Sequence, residues 1–105
     1  MYQLRKYSLK DKASLDFLRD VVYPRHFASF AKFGMAIQGI WTAPDPLELT
    51  LYVLFSFAEH DDPASVLAEY VQSDEFKADV VDWDGANVLD VTDFFMTPSA
   101  ASPLR

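Results

Sequence analysis

The chain has 105 residues, of which 50% are hydrophobic and 15% aromatic, with no cysteine and a formal net charge of -7 at pH 7. That length is one domain, and its acidic field repels phosphate backbones and anionic membrane surfaces, so neither nucleic acid nor a membrane is an expected partner. The lack of cysteine excludes disulfides, thiolate nucleophiles, zinc fingers and Cys-ligated clusters.

The pattern from Tyr2 to Leu9 fits a strand, with aromatic and β-tolerant residues recurring and no Gly or Pro between them. It has no apolar core of a signal peptide. The longest apolar stretch, Leu49 to Ala58, is broken by Thr50 and Ser56 and is too short to span a bilayer, so a soluble cytoplasmic protein is expected. Asp11 or Ser14 can cap the element that follows. From Ala13 to Phe33 the period is helical, and Leu15, Leu18, Val22, His26, Phe30 and Phe33 share one face. Phe17, Val21 and Ala28 form a second, narrower strip. Pro24 lies inside this run and predicts a kink or restart near Val22–Tyr23. Gly34 suits the left-handed residue just past a helix end.

Met35 to Thr42 reads as a strand in which Gly39 implies a bulge or a close backbone approach. Two prolines make residues 43–46 a turn. Leu47 to Phe57 is the strongest strand, apolar on both faces and therefore expected at the sheet centre. Asp62 and Pro63 open a helix carrying Leu67, Tyr70 and Val71, and Ser73 caps a shorter one to about Val81. Residues 82–85 form a turn, and Val88 to Met96 is the last strand.

The order is β-α-β-β-α-β, which predicts an α+β, ferredoxin-like subunit: one four-stranded antiparallel sheet with two helices on one face. The domain covers residues 1–97, and residues 98–105 are expected to be a loose tail. The other sheet face, expected to carry Tyr7, Tyr52, Leu54 and the Phe94/Phe95 pair, is too apolar for water. Two such sheets packed face to face would bury it, so a homodimer is expected.

Tyr2-x-Leu4-Arg5-x-Tyr7-x-Leu9, a helix ending at Gly34 followed by Gly39-Ile40-Trp41-Thr42, and Leu51-x-Val53-Leu54-Phe55-Ser56-Phe57 resemble the NIPSNAP family over most of residues 2–96. The resemblance implies a dimeric α/β barrel. Relatives in that wider group include cofactor-independent monooxygenases, haem-degrading monooxygenases, lactone isomerases and ligand-binding regulators. Any function carried over by fold is analogy.

His26, on the apolar helix face, is the candidate catalytic base or ligand anchor; an apolar site tends to keep imidazole neutral and able to accept a proton. The alternative is a histidine satisfied by a backbone carbonyl, Tyr23 or Arg25. Arg25 could bind a carboxylate or enolate, or pair with an acidic residue of the chain. Tyr7, Trp41 and Tyr52 could wall a pocket for a planar ligand, or pack in the core or dimer interface. A drug-sized ligand there needs a cavity of at least ~300 Å3.

Asp82, Asp84, Asp90 and Asp93 lack the pattern of a calcium loop. His26 and His60 lack metal-ligand spacing, so no metal is expected, and His60 reads as a surface residue. No dinucleotide or phosphate loop occurs and no cofactor is expected. Two functions remain: a dimer that binds a small, largely apolar organic molecule, by analogy with the wider group a cofactor-independent monooxygenase or isomerase, or a non-catalytic dimeric scaffold.

Overall fold

A computed structural model of the chain describes residues 1–59 and 61–104, so His60 lies outside the described residues. The strands are β1 (Tyr2–Leu9), β2 (Met35–Thr42), β3 (Thr50–Phe57) and β4 (Val88–Met96). They form one antiparallel sheet in the order β2-β3-β1-β4. Helices α1 (Lys12–Phe17), α2 (Tyr23–Lys32), α3 (Pro63–Val71) and α4 (Asp74–Asp79) complete an α+β, ferredoxin-like subunit.

Asp11 caps α1 by accepting the Ser14 backbone N–H at 2.8 Å. The predicted kink is instead a π turn over Leu18–Val22. There the Tyr23 N–H reaches the Leu18 carbonyl five residues back, and the chain enters α2 with Pro24 in the first turn, where its missing N–H costs no helical bond. Leu15, Leu18, Val22, His26 and Phe30 are buried along this run, and Tyr23 joins them. Phe17, from the second strip, stacks on Trp83 at 6.0 Å. Gly34 ends the run with φ 75.

β3 begins at Thr50 rather than Leu47. Asp45 holds the preceding segment as a turn, its side chain accepting from Leu47 N and its carbonyl from Glu48 N, so Leu47 is left exposed. β3 is central, as its double-sided apolar pattern predicts.

Register decides which side chains meet, because paired residues share a face. Tyr7 pairs with Leu51, Arg5 with Val53 and Gln3 with Phe55. Leu51, Val53 and Phe55 form the core beneath the helices, so Gln3, Arg5 and Tyr7 also lie on the helix side. Placing Tyr7 on the open face is therefore corrected, and Phe95, opposite Gln3, is likewise on the helix side of its strand. Tyr2, Leu4, Trp41, Tyr52, Leu54 and Phe94 occupy the open face.

Gly39 sits at a register shift on β2, directly under the Trp41 indole: an added Cβ would lie 2.3 Å from the ring. The bulge and the close approach coincide at this residue. Residues 97–104 turn back over the open face, where Pro98, Ser102 and Leu104 border an open depression of about 220 Å3 with Tyr2 and Leu54.

Gly34→Ala is expected to destabilise the fold by about 1–2 kcal/mol, because a Cβ is strained at positive φ and would also approach Asp61 Oδ2 to 3.3 Å. Gly85→Ala meets no atom within 4 Å and should lie within about 1 kcal/mol of the parent. Urea denaturation of the two variants checks the contrast.

Candidate functional site

The site is built where α2 crosses β1 and the α3–α4 segment closes over both. His26 is 5% exposed, with an aromatic shell formed by Tyr23, Phe30, Tyr70 and Phe76. A buried imidazole needs partners. Nδ1 finds the Asp79 carboxylate at 2.9 Å and the Tyr70 hydroxyl at 2.8 Å. The same Asp79 oxygen accepts the Ser29 hydroxyl at 2.5 Å, and Ser29 meets the Tyr70 hydroxyl at 3.0 Å. Nε2 has no hydrogen-bond partner among the described residues.

Burial pulls the His26 pKa below its ordinary 6.5; the Asp79 carboxylate opposes this and nearby Arg25 reinforces it. The ring is therefore neutral near neutrality. A neutral imidazole beside a carboxylate directs its one N–H toward that acceptor, so Nδ1 carries the hydrogen and Nε2 keeps a free lone pair.

Two cavities, of about 90 and 190 Å3, border this ring. Arg5, Tyr7, His26 and Phe76 line both. Neither reaches the volume expected for a drug-sized ligand, because Phe30, Phe76 and Tyr70 fill the layer around the histidine. An engineered apolar cavity of about 150 Å3 accommodates benzene, so the larger of these is a one-ring space.

The two helix-side tyrosines meet here. The Tyr7 and Tyr23 hydroxyls lie 2.5 Å apart, and burial holds the Tyr23 phenol well above its ordinary pKa. On the opposite side of Tyr7, Arg5 donates to Asp93 through Nε at 2.8 Å and Nη2 at 3.2 Å, and Gln3 donates to the same carboxylate.

The candidates named from sequence separate accordingly. His26 and Tyr7 share both cavities. Arg25 turns away from them: it grips Asp82 through two nitrogens at 2.6 and 3.0 Å and the Asp79 carbonyl at 3.0 Å. Its geometry is that of a brace on the segment that carries Asp79. Trp41 and Tyr52 pair on the open face, on the far side of the sheet from His26, so alternation prevents them from walling its cavity.

Sequence reading passed over Asp79, Tyr70, Ser29 and Arg5. Asp79 lies 53 residues from His26, and no spacing rule links them. Arg5 had a signal, since it stands two residues before Tyr7 in one strand and must share its face.

No family model and no curated protein matches the sequence. Solved structures do. The chain is similar to a NIPSNAP family protein from Agrobacterium tumefaciens strain C58, with TM-score 0.77 and 16% identity over 99% of this chain and 97% of that one. A second NIPSNAP family protein from that organism, of unknown function, gives TM-score 0.75 and 20% identity over 99% and 92%. An uncharacterized NIPSNAP domain protein from Burkholderia xenovorans gives 0.75 and 13% over 97% of each chain. The chain has the fold of these NIPSNAP proteins.

Because folding lowers the His26 pKa, the unfolded chain binds its proton first as pH falls. The contribution of His26 to stability is therefore complete above 6.5 and disappears as pH drops from there to the lowered folded value. Asp79→Asn, which removes the group opposing burial, should lower the folded His26 pKa further, so that the loss begins at the same unfolded value, continues to lower pH than in the parent and is larger in total. NMR titration of the imidazole combined with urea melts across this range checks both statements.

Proposed function

We propose that this protein is a homodimeric, NIPSNAP-like binder of a small organic molecule, with the His26–Asp79 pair acting as proton acceptor inside the helix–sheet layer. The observation that carries this reading is a buried imidazole whose Nδ1 is held by Asp79 and which borders two cavities. Proton removal from the ligand is the step shared by isomerase chemistry and by oxygenation without a cofactor. A base within an apolar enclosure suits it, because the carboxylate stabilises the imidazolium as it forms. Arg25 contributes by holding Asp79 in place, and Tyr7 lines the space beside the ring.

Trp41 and Tyr52 belong to the dimer in this reading. Trp41 is 52% exposed and Phe94 50%, on one sheet face with Leu54 and Tyr52. An apolar patch of that kind is normally covered, and a second copy of the same face covers it with aromatic surface. Among the described residues no helix is long and apolar enough to cross a membrane.

The second reading is a non-catalytic dimeric scaffold whose aromatics build only core and interface. The modest cavity volumes favour it. A thermal-shift and NMR screen with phenol, benzoate and benzyl alcohol separates the two. Ligand binding predicts saturable stabilisation, about 2.7 kcal/mol at a hundredfold excess over Kd, lost in a folded His26→Ala variant. If none of these compounds stabilises the protein or perturbs the His26 resonances, the scaffold reading stands.

Sedimentation at micromolar concentration should give twice the chain mass of 11.9 kDa, and Trp41→Glu should shift it toward the single-chain value. A parent that sediments at 11.9 kDa contradicts the dimer.

A further inference from the structure

Arg5 lies on the wall shared by both cavities, although nothing in the reading above requires a cation there. Its Nε and Nη2 point to Asp93, which leaves Nη1 outside that pair, and its guanidinium carbon stands 5.8 Å from the centre of the Tyr7 ring. The rest of the larger cavity is formed by Leu18, Val22, Phe76, Val80 and Trp83. A fixed cation and a neutral base therefore face the same one-ring space, with Tyr7 beside them and mostly apolar side chains around the rest. Burial alone would favour an uncharged ligand. A guanidinium reverses that preference for an acid, because it offers charge-assisted, directional bonds to an oxyanion.

We propose that the larger cavity takes a single-ring organic acid of the phenol or enol type, with Arg5 binding its oxyanion and His26 Nε2 accepting its proton. This rests on the small-molecule reading above and specifies its ligand class. In the step, the ligand O–H bond breaks and its electron pair stays on oxygen, beside Arg5. The proton forms a new N–H bond at Nε2, and the resulting imidazolium faces Asp79 through Nδ1–H. The reverse transfer restores the starting state, so no oxidant or other reactant is needed. Asp93 orients Arg5, while the Tyr7–Tyr23 hydroxyl pair, 2.5 Å apart, fixes the neighbouring wall.

The test uses the full chain and 4-nitrophenol, whose absorbance distinguishes phenol from phenolate. Binding to the parent should lower the apparent pKa of the probe, so that bound probe is ionised at a pH where free probe is mostly protonated. Benzoate should compete, and its uncharged analogue benzamide should not. Arg5→Gln should bind the probe about tenfold more weakly or worse and abolish the pKa shift. Arg5→Lys, which keeps the charge without the fork, should fall between. Far-UV circular dichroism verifies folding. Should Arg5→Gln not fold, Asp93→Asn retains the cation and must still ionise the probe. Probe bound in its protonated form, or equally well by folded Arg5→Gln, overturns the oxyanion role and leaves the small-molecule reading intact. Failure of 4-nitrophenol, phenol and benzoate to bind the parent overturns the oxyanion role, and failure of benzyl alcohol as well overturns the small-molecule reading with it.

Discussion

The hydrogen bond from His26 Nδ1 to Asp79, 2.9 Å long and almost wholly removed from water, joins the two halves of the helical layer. Remove the carboxylate and a buried N–H loses its charged acceptor, while the serine and tyrosine hydroxyls around it lose theirs. Those demands explain the local build. α4 is a short helix opened by the Ser73 cap, and its last residue is Asp79. Arg25, one residue before the histidine, clamps the chain just beyond by holding the Asp79 carbonyl and the Asp82 carboxylate. Placing the acceptor and bracing it thus use adjacent positions of one helix. The π turn before Pro24 lets the run through Val22, Tyr23 and His26 stay continuous while turning all three inward.

Strand alternation then divides the aromatic residues between two tasks. Odd-numbered residues of β1 face the helices and carry Gln3, Arg5 and Tyr7, a polar row that continues through Asp93 on β4 and the Tyr23 hydroxyl on α2. Even-numbered residues face away, and Tyr2 and Leu4 join Trp41, Tyr52 and Leu54 on a largely apolar surface. Gly39 lets the Trp41 indole lie against the sheet, since any side chain there would meet the ring. The His26 pocket on one side and the exposed aromatic surface on the other follow from a period of two.

Much of the fold was legible in the chain. Apolar periodicity, the Asp11 and Ser73 caps, Gly34 and the two-proline turn each reflect a local physical rule, and local rules hold before tertiary contacts form. The ferredoxin-like order followed from them, as did the central place of β3. His26 was legible as a lone polar residue on an apolar helix face. Its partner was not, because Asp79 meets it only after α4 folds back across 53 residues of chain. The facing of Tyr7 was misjudged because β1 is mixed in polarity on both sides: Arg5 and Gln3 lie on its buried face, which pattern alone assigns to solvent. Register resolves this, and register depends on which strands pair.

The account depends on where the histidine keeps its single hydrogen. Long-range nitrogen–proton correlation on labelled protein near neutral pH reports the tautomer of His26 directly. The account predicts a protonated Nδ1, bonded to Asp79, and an unprotonated Nε2 with its lone pair toward the cavities. A His26 with its hydrogen on Nε2, or one doubly protonated at that pH, would contradict it.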